Sequence, residues 1–169
     1  MAQRDGTLRV EVLGPQHDRS AFECGVEPLD RYFRSQAGQD ARKRVAAPFA
    51  LVLSDGAVAG FYTLSAMAFN LCELPEPTAR RLPRYPLVPA TLLGRLAVDR
   101  RHKGKGYGRF LLADALFRAL RSEIASFAVV VEAKDDAARR FCERESFLSF
   151  PDQPMKLFRP MADIARLFE

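Results

Sequence analysis

The sequence predicts one α/β domain, spanning residues 1–169, in which a single mixed β-sheet carries helices on its faces. Three observations carry this expectation. Strand-like stretches of period two alternate along the chain with stretches in which apolar residues return every fourth position. Asp55-Gly56 joins two strand-like runs as a tight antiparallel hairpin. The run "FAVVVEA" (127–133) is short and nearly all apolar, as suits a strand buried on both sides.

Taken in order, "LRVEVL" (8–13) alternates as a half-buried strand, and Leu29, Phe33, Ala37 and Ala41 then mark one face of a helix with Pro28 in its first turn. "FALVLSDGAVAGFYTLSAMAF" (49–69) is the hairpin. Five of the eleven prolines fall between Leu74 and Pro89 and interrupt regular structure there, apart from a short helix over Thr78–Leu82. "TLLGRLAVD" (91–99) is the next strand. The helix "RFLLADALFRALRSEI" (109–124) follows, with Leu112, Leu116, Leu120 and Ile124 on one face. After the buried strand, Asp135 or Asp136 caps the helix "AARRFCERES" (137–146), and "FLSF" and "MKLFRPM" close the chain as strands. The expected order is β-α-β-β-β-α-β-α-β-β.

Composition sets outer limits on function. The start, Met1–Thr7, is polar without a signal region, and no run of about 18 apolar residues occurs, so the expected location is the cytoplasm and no membrane is a partner. Cys24, Cys72 and Cys142 are scattered and form no CxxC pair, which fits reduced thiols; with only His17 and His102 beside them, no metal is expected. A formal charge of +5 points to anionic partners. Its densest cluster is Arg100, Arg101, Lys103, Lys105 and Arg109; Arg42–Arg44 and the trio Arg80, Arg81 and Arg84 are smaller groups that also read as solvated surface.

That cluster coincides with a glycine-rich turn. Gly104, Gly106 and Gly108 let successive backbone N–H groups point into one concavity, and the helix that follows adds its positive end. The result is an anion cradle, and the charge of Lys103 and Lys105 favours a pyrophosphate over a carboxylate. The pattern Arg101-x-x-Gly104-x-Gly106 is neither a Walker A loop nor the dinucleotide fingerprint.

Set between the strand ending "LAVD" and a helix, this turn resembles the pyrophosphate-binding motif of the GNAT superfamily, the acyl-CoA N-acyltransferases. "FECGVEPLDRYF", "GFYTLSA", "LPEPTARRLPRYP", "LLGRLAVDRRHKGKGYGRFLL" and "VVVEAKDDAARRFCERESF" resemble one bacterial subgroup that contains toxin-type acetyltransferases, over nearly the whole chain. The resemblance implies a single GNAT-like domain with a splayed parallel strand pair. It implies acetyl transfer from acetyl-CoA to an amine, with both substrates bound together and no metal. By position, Leu96, Ala97 and Val98 would pair with the pantetheine arm, and Arg101, Lys103, Gly104, Lys105, Gly106, Tyr107, Gly108 and Arg109 would hold the pyrophosphate.

The subgroup's last helix carries Phe-Tyr and, four residues later, Gly-Phe, the tyrosine being assigned to protonate the departing thiolate. Here the residues are Phe141-Cys142 and Ser146-Phe147. Cys142 is therefore the candidate acid, or else a small residue packed beside Ala138. Glu132 is a candidate base, or an exposed strand-end glutamate. Arg95 steers an anionic acceptor or pairs with a carboxylate, and Tyr62 and Tyr107 are core or surface aromatics that are also placed to replace the missing acid. Three functions follow. The first is a toxin acetylating the amino group of an aminoacyl-tRNA, checked by a small ribbon-helix-helix antitoxin. The second is an acetyltransferase for a small amine or a protein amine, and the third a non-catalytic acyl-CoA-binding module. A homodimer is compatible with all three.

Overall fold

The computed structural model describes residues 8–169; the expectation for Met1–Thr7 lies outside them. Strand β1 (Arg9–Val12) is followed by one helical stretch in three parts: α1 (Glu27–Arg31), a π-helical turn (Tyr32–Gln36) and α2 (Ala37–Lys43). The π turn answers the sequence spacing. A strict four-residue repeat drifts by about 40° per step around an α-helix of 3.6 residues per turn, and a wider turn absorbs that drift. Phe33 and Ala37 are accordingly both fully buried. Arg44 ends the stretch in the left-handed region, with φ of 61°.

Strands β2 (Ala47–Val52) and β3 (Val58–Asn70) form the expected hairpin, with Gly56 at φ of 86° in its turn. A 3₁₀ turn (Leu71–Glu73) and α3 (Glu76–Ala79) occupy the proline-rich excursion. The short helix thus lies slightly ahead of the expected Thr78–Leu82. Strand β4 (Leu87–Val98) begins earlier than the sequence suggested and includes Pro89. The remaining elements are α4 (Tyr107–Arg121), β5 (Ala128–Glu132), α5 (Asp136–Arg144), β6 (Leu148–Phe150), β7 (Gln153–Pro160) and α6 (Met161–Leu167). Two expectations are corrected. Ile124 lies past the end of α4 and is exposed, the buried stripe being Leu111, Leu112, Ala115, Leu116 and Ala119. The chain also closes with a helix rather than a strand, α6, whose Ile164 is buried.

Hydrogen bonding orders the strands β1-β2-β3-β4-β5-β7-β6 in one mixed seven-stranded sheet. Pairing is antiparallel at β1/β2, β2/β3, β5/β7 and β6/β7, and parallel at β4/β5. The parallel register runs only from Ala90↔Ala128 to Leu93↔Val131, while β4 continues to Val98. This is the splayed parallel pair that the resemblance implies. The chain forms two compact units, one of residues up to Ser65 with Gly94–Ala115 and one of Ala66–Leu93 with Leu116–Glu169. Each has its own core. In the first, Phe22, Phe33 and Phe61 interlock, with Phe33 and Phe61 stacked at 4.1 Å. In the second, Phe69, Phe150 and Phe158 meet with Val130 and Leu74. Each aromatic side chain buries a large area and so supplies much of the hydrophobic stabilisation of its unit.

Candidate active site

In the first unit, the end of β4 turns into α4 through residues 99–106. Gly104 and Gly106 have φ of 79° and 81°, a region costly for side chains with a Cβ. A Cβ at either position would meet nothing within 4 Å, so these glycines serve the backbone path rather than a close contact. The first bond within α4 here runs from Phe110 N–H to the Gly106 carbonyl. The N–H groups of Tyr107, Gly108 and Arg109 therefore precede the helix's own ladder, where donors and dipole favour an anion.

One buried carboxylate shapes the turn, and sequence reasoning missed it. Asp99 is fully buried and accepts from the backbone N–H of Arg101 (2.9 Å) and of Glu23 (3.1 Å), while the Arg101 guanidinium donates to both its oxygens at 2.9 and 3.1 Å. Burial alone would raise its pKa, but these donors outweigh it and hold the carboxyl at about 2. Asp99 also donates its N–H to Ala59 of β3. A strand-end aspartate directly before a basic pair is the only sequence signal for this role.

The basic cluster is thus partly structural. Arg101 braces Asp99, Lys103 Nζ donates to the Cys24 carbonyl at 2.9 Å, and Arg100 lies 3.7 Å from Glu23. Lys105 and Arg109 are exposed. Residues 22–26 are stitched to the turn through these contacts and the Arg100 N–H to Glu23 carbonyl bond. Gly60 of β3 completes the seat: a Cβ there would lie 2.8 Å from Leu111 of α4 and 2.9 Å from the Ala97 carbonyl. Leu96 and Val98 are half-buried and Ala97 is buried in the first core.

Other candidates in this unit resolve differently. Tyr62 is fully buried, stacks on Phe49 and donates to Asp114 at 2.5 Å, which makes it a core residue. Tyr107 opens α4, half-buried, 6.3 Å from the His102 ring. Arg95 forms no ion pair with a carboxylate among the described residues; its guanidinium lies over the Tyr32 ring, 3.6 Å from the centroid.

In the second unit, Glu132 ends β5, exposed, opposite Lys156 of β7, whose ammonium bonds Glu73 at 2.9 Å. Cys142 is the buried residue of α5. Burial first, then Glu145 and Glu143, push its thiol up to about 11. Asp135 caps α5 by accepting from Ala138 N–H, as expected. Ser146, where the subgroup has glycine, follows the helix with φ of 69°. A hollow of about 530 Å³ lined by Asn70, Cys72, Glu76, Arg80, Arg84 and Pro86 also belongs to this unit.

The acetyltransferase (GNAT) family model matches residues 16–147. The chain belongs to this family. It is an acetyltransferase. It is 34% identical over 152 residues to the tRNA-acetylating toxin of Mycobacterium tuberculosis (strain H37Rv), covering 89% of this chain and 90% of that one. Among solved structures it resembles AtaT complexed with acetyl-methionyl-tRNAfMet, with a TM-score of 0.88, 27% identity and coverage of 96% and 100%. A tyrosine-to-phenylalanine mutant of the AtaT toxin, bound to the C-terminus of the antitoxin AtaR and to acetyl-CoA, matches with a TM-score of 0.80, 26% identity and coverage of 95% and 98%. No helix among the described residues is long and apolar enough to cross a membrane.

Proposed function

We propose that this acetyltransferase moves acetyl from acetyl-CoA to the α-amino group of an aminoacyl-tRNA in the bacterial cytoplasm, as a toxin held in check by a small antitoxin. The observation that carries the reading is the likeness, over nearly the full length of both chains, to the AtaT toxin complexed with acetyl-methionyl-tRNAfMet. The local chemistry agrees with it. The turn through Gly104 and Gly106, with the α4 donors beside it, fits a pyrophosphate. Beyond Leu93, where pairing with β5 ends, the backbone of Leu96–Val98 is assigned to the pantetheine amides. Lys105 and Arg109 supply charge at the cradle, and Arg101 and Lys103 hold its shape.

The co-substrate supplies a thioester that an amine can attack. In this reading Glu132, directly or through water, takes the proton from the incoming ammonium, Arg95 binds the acceptor, and the C–N bond forms as the C–S bond breaks and the thiolate gains a proton. Burial pushes the Cys142 thiol up to about 11, which makes it a weak proton donor, and in this reading solvent supplies the proton in its place.

The test is transfer of labelled acetyl to aminoacyl-tRNA. Charged tRNA should be labelled and uncharged tRNA should not. Replacing Arg42, Lys43, Arg44, Arg80, Arg81 and Arg84 with glutamine should weaken tRNA binding and flatten its salt dependence, with acetyl-CoA affinity kept. Labelling of small amines alone, insensitive to salt, would favour a small-molecule acetyltransferase; binding of acetyl-CoA without transfer to any amine would leave only a binding module.

A further inference from the structure

The π turn at Tyr32–Gln36 brings together side chains that a plain helix would separate. A π bulge adds one residue to a turn, so positions i and i+8 take the phase of i and i+7 in an α-helix. They then differ by about 20° around the axis rather than about 80°. Tyr32 and Asp40 are such a pair, and the Tyr32 hydroxyl donates to Asp40 Oδ2 at 2.8 Å. Gln36 Nε2 donates to Asp40 Oδ1 at 3.1 Å, so both carboxylate oxygens are engaged. The Tyr32 ring is buried and stacks at 6.3 Å on Phe61 of the first core.

Arg95 of β4 lies on this anchored ring, 3.6 Å from its centroid, well inside the range of about 6 Å for a cation over an aromatic face. A guanidinium that stacks through its flat face keeps its N–H donors in the plane, directed sideways. Among the described residues Arg95 makes no direct ion pair with a carboxylate, although its charge is near enough to help lower the pKa of Asp40. Burial, followed by the bond to Asp40, pushes the Tyr32 phenol up to about 12, so it remains a neutral donor.

We propose that Tyr32 and Asp40 are positioning residues that hold the Arg95 guanidinium flat, with its donor edge presented to a phosphate of the acceptor's nucleic-acid end. Planar, two-point donation to phosphate oxygens is the recognition for which a fixed guanidinium is suited. This rests on the proposed function in taking the acceptor to be an aminoacyl-tRNA. It adds that acceptor orientation is set from the helical stretch through Arg95.

The test is a double-mutant cycle read by methionyl-tRNA kinetics, tRNA retention on filters and acetyl-CoA calorimetry. Tyr32→Leu should raise the KM for methionyl-tRNA about tenfold, with acetyl-CoA Kd unchanged and acetylation of methionine methyl ester, which lacks phosphate, also unchanged. In an Arg95→Ala background the same change should add nothing. Tyr32→Phe keeps the stack and deletes only the tether, so it should fold and raise KM two- to threefold, again only when Arg95 is present. An equal loss in both backgrounds, a loss in acetyl-CoA binding, or no effect of either Tyr32 variant overturns the proposal. Retention of tRNA that depends on Arg95 and Tyr32, in a protein that transfers no acetyl to it, would keep this inference and end the functional reading.

Discussion

The turn at residues 99–109 and helix α5 are the two candidate parts of the site, and they are built on different physics. The turn is exposed and is fixed by backbone conformation and charge. Two glycines of positive φ shape it, and one buried carboxylate gathers two backbone donors and a guanidinium beneath it. Helix α5 is fixed by packing. Its residue at the subgroup's tyrosine position is a buried thiol with a raised pKa, and the helix is followed by a serine in the left-handed region. An anion cradle needs conformations and donors that few residues can supply. A helix position tolerates any side chain of suitable volume, so its chemistry changes more readily than its shape.

The largest effect expected on this comparison comes from Asp99. Asp99→Ala leaves two N–H donors and the Arg101 guanidinium without their acceptor and should cost about 2–3 kcal/mol in denaturant unfolding. It should also weaken acetyl-CoA binding, because the turn loses its brace. The carboxyl titrates at about 2, below its ordinary value of about 3.9. Its stabilisation is therefore fully present above about pH 4 and is lost as the pH falls through about 2. Wild type should lose stability across that window more steeply than Asp99→Asn, as followed by circular dichroism.

Gly106→Val comes next. A β-branched residue at φ of 81° is strained whatever space surrounds it, and the turn would have to shift to relieve it. Acetyl-CoA affinity should fall more than tenfold, or about 1.4 kcal/mol, by calorimetry. Unchanged affinity in a folded variant would place the co-substrate away from the turn.

The smallest effects belong to α5. Cys142→Ala should lower turnover less than threefold. Cys142→Tyr tests whether a phenol can restore acid assistance, typically 10²- to 10⁴-fold, but it overfills a buried site, so its turnover is read beside its melting temperature. A large loss in the alanine variant would make the thiol catalytic after all. Ser146→Gly should stabilise by about 0.5–1 kcal/mol, since glycine occupies that position after a helix without a Cβ penalty.

These differences also mark what the sequence made legible. Glycines at alternate positions between a strand and a helix announce the cradle, because few other purposes require them in that order. The hairpin at Asp55-Gly56 and the Asp135 cap are local and equally plain. Asp99, by contrast, becomes important only when Glu23, 76 positions away, folds over it. The partnership of Tyr32 with Arg95 is similarly long-range, and the π turn that joins Tyr32 to Asp40 hides behind a four-residue spacing that a plain helix also explains. The last helix carried the weak pattern Met161, Ile164, Leu167 behind a proline, next to a strand that looked able to continue.

The most direct measurement is amide hydrogen exchange of the protein with and without acetyl-CoA. Slowed exchange confined to Leu96–Val98 and Gly104–Arg109 is the result predicted. Protection that appears elsewhere and leaves both segments unchanged would contradict the placement of the co-substrate, and with it the account of the glycine turn.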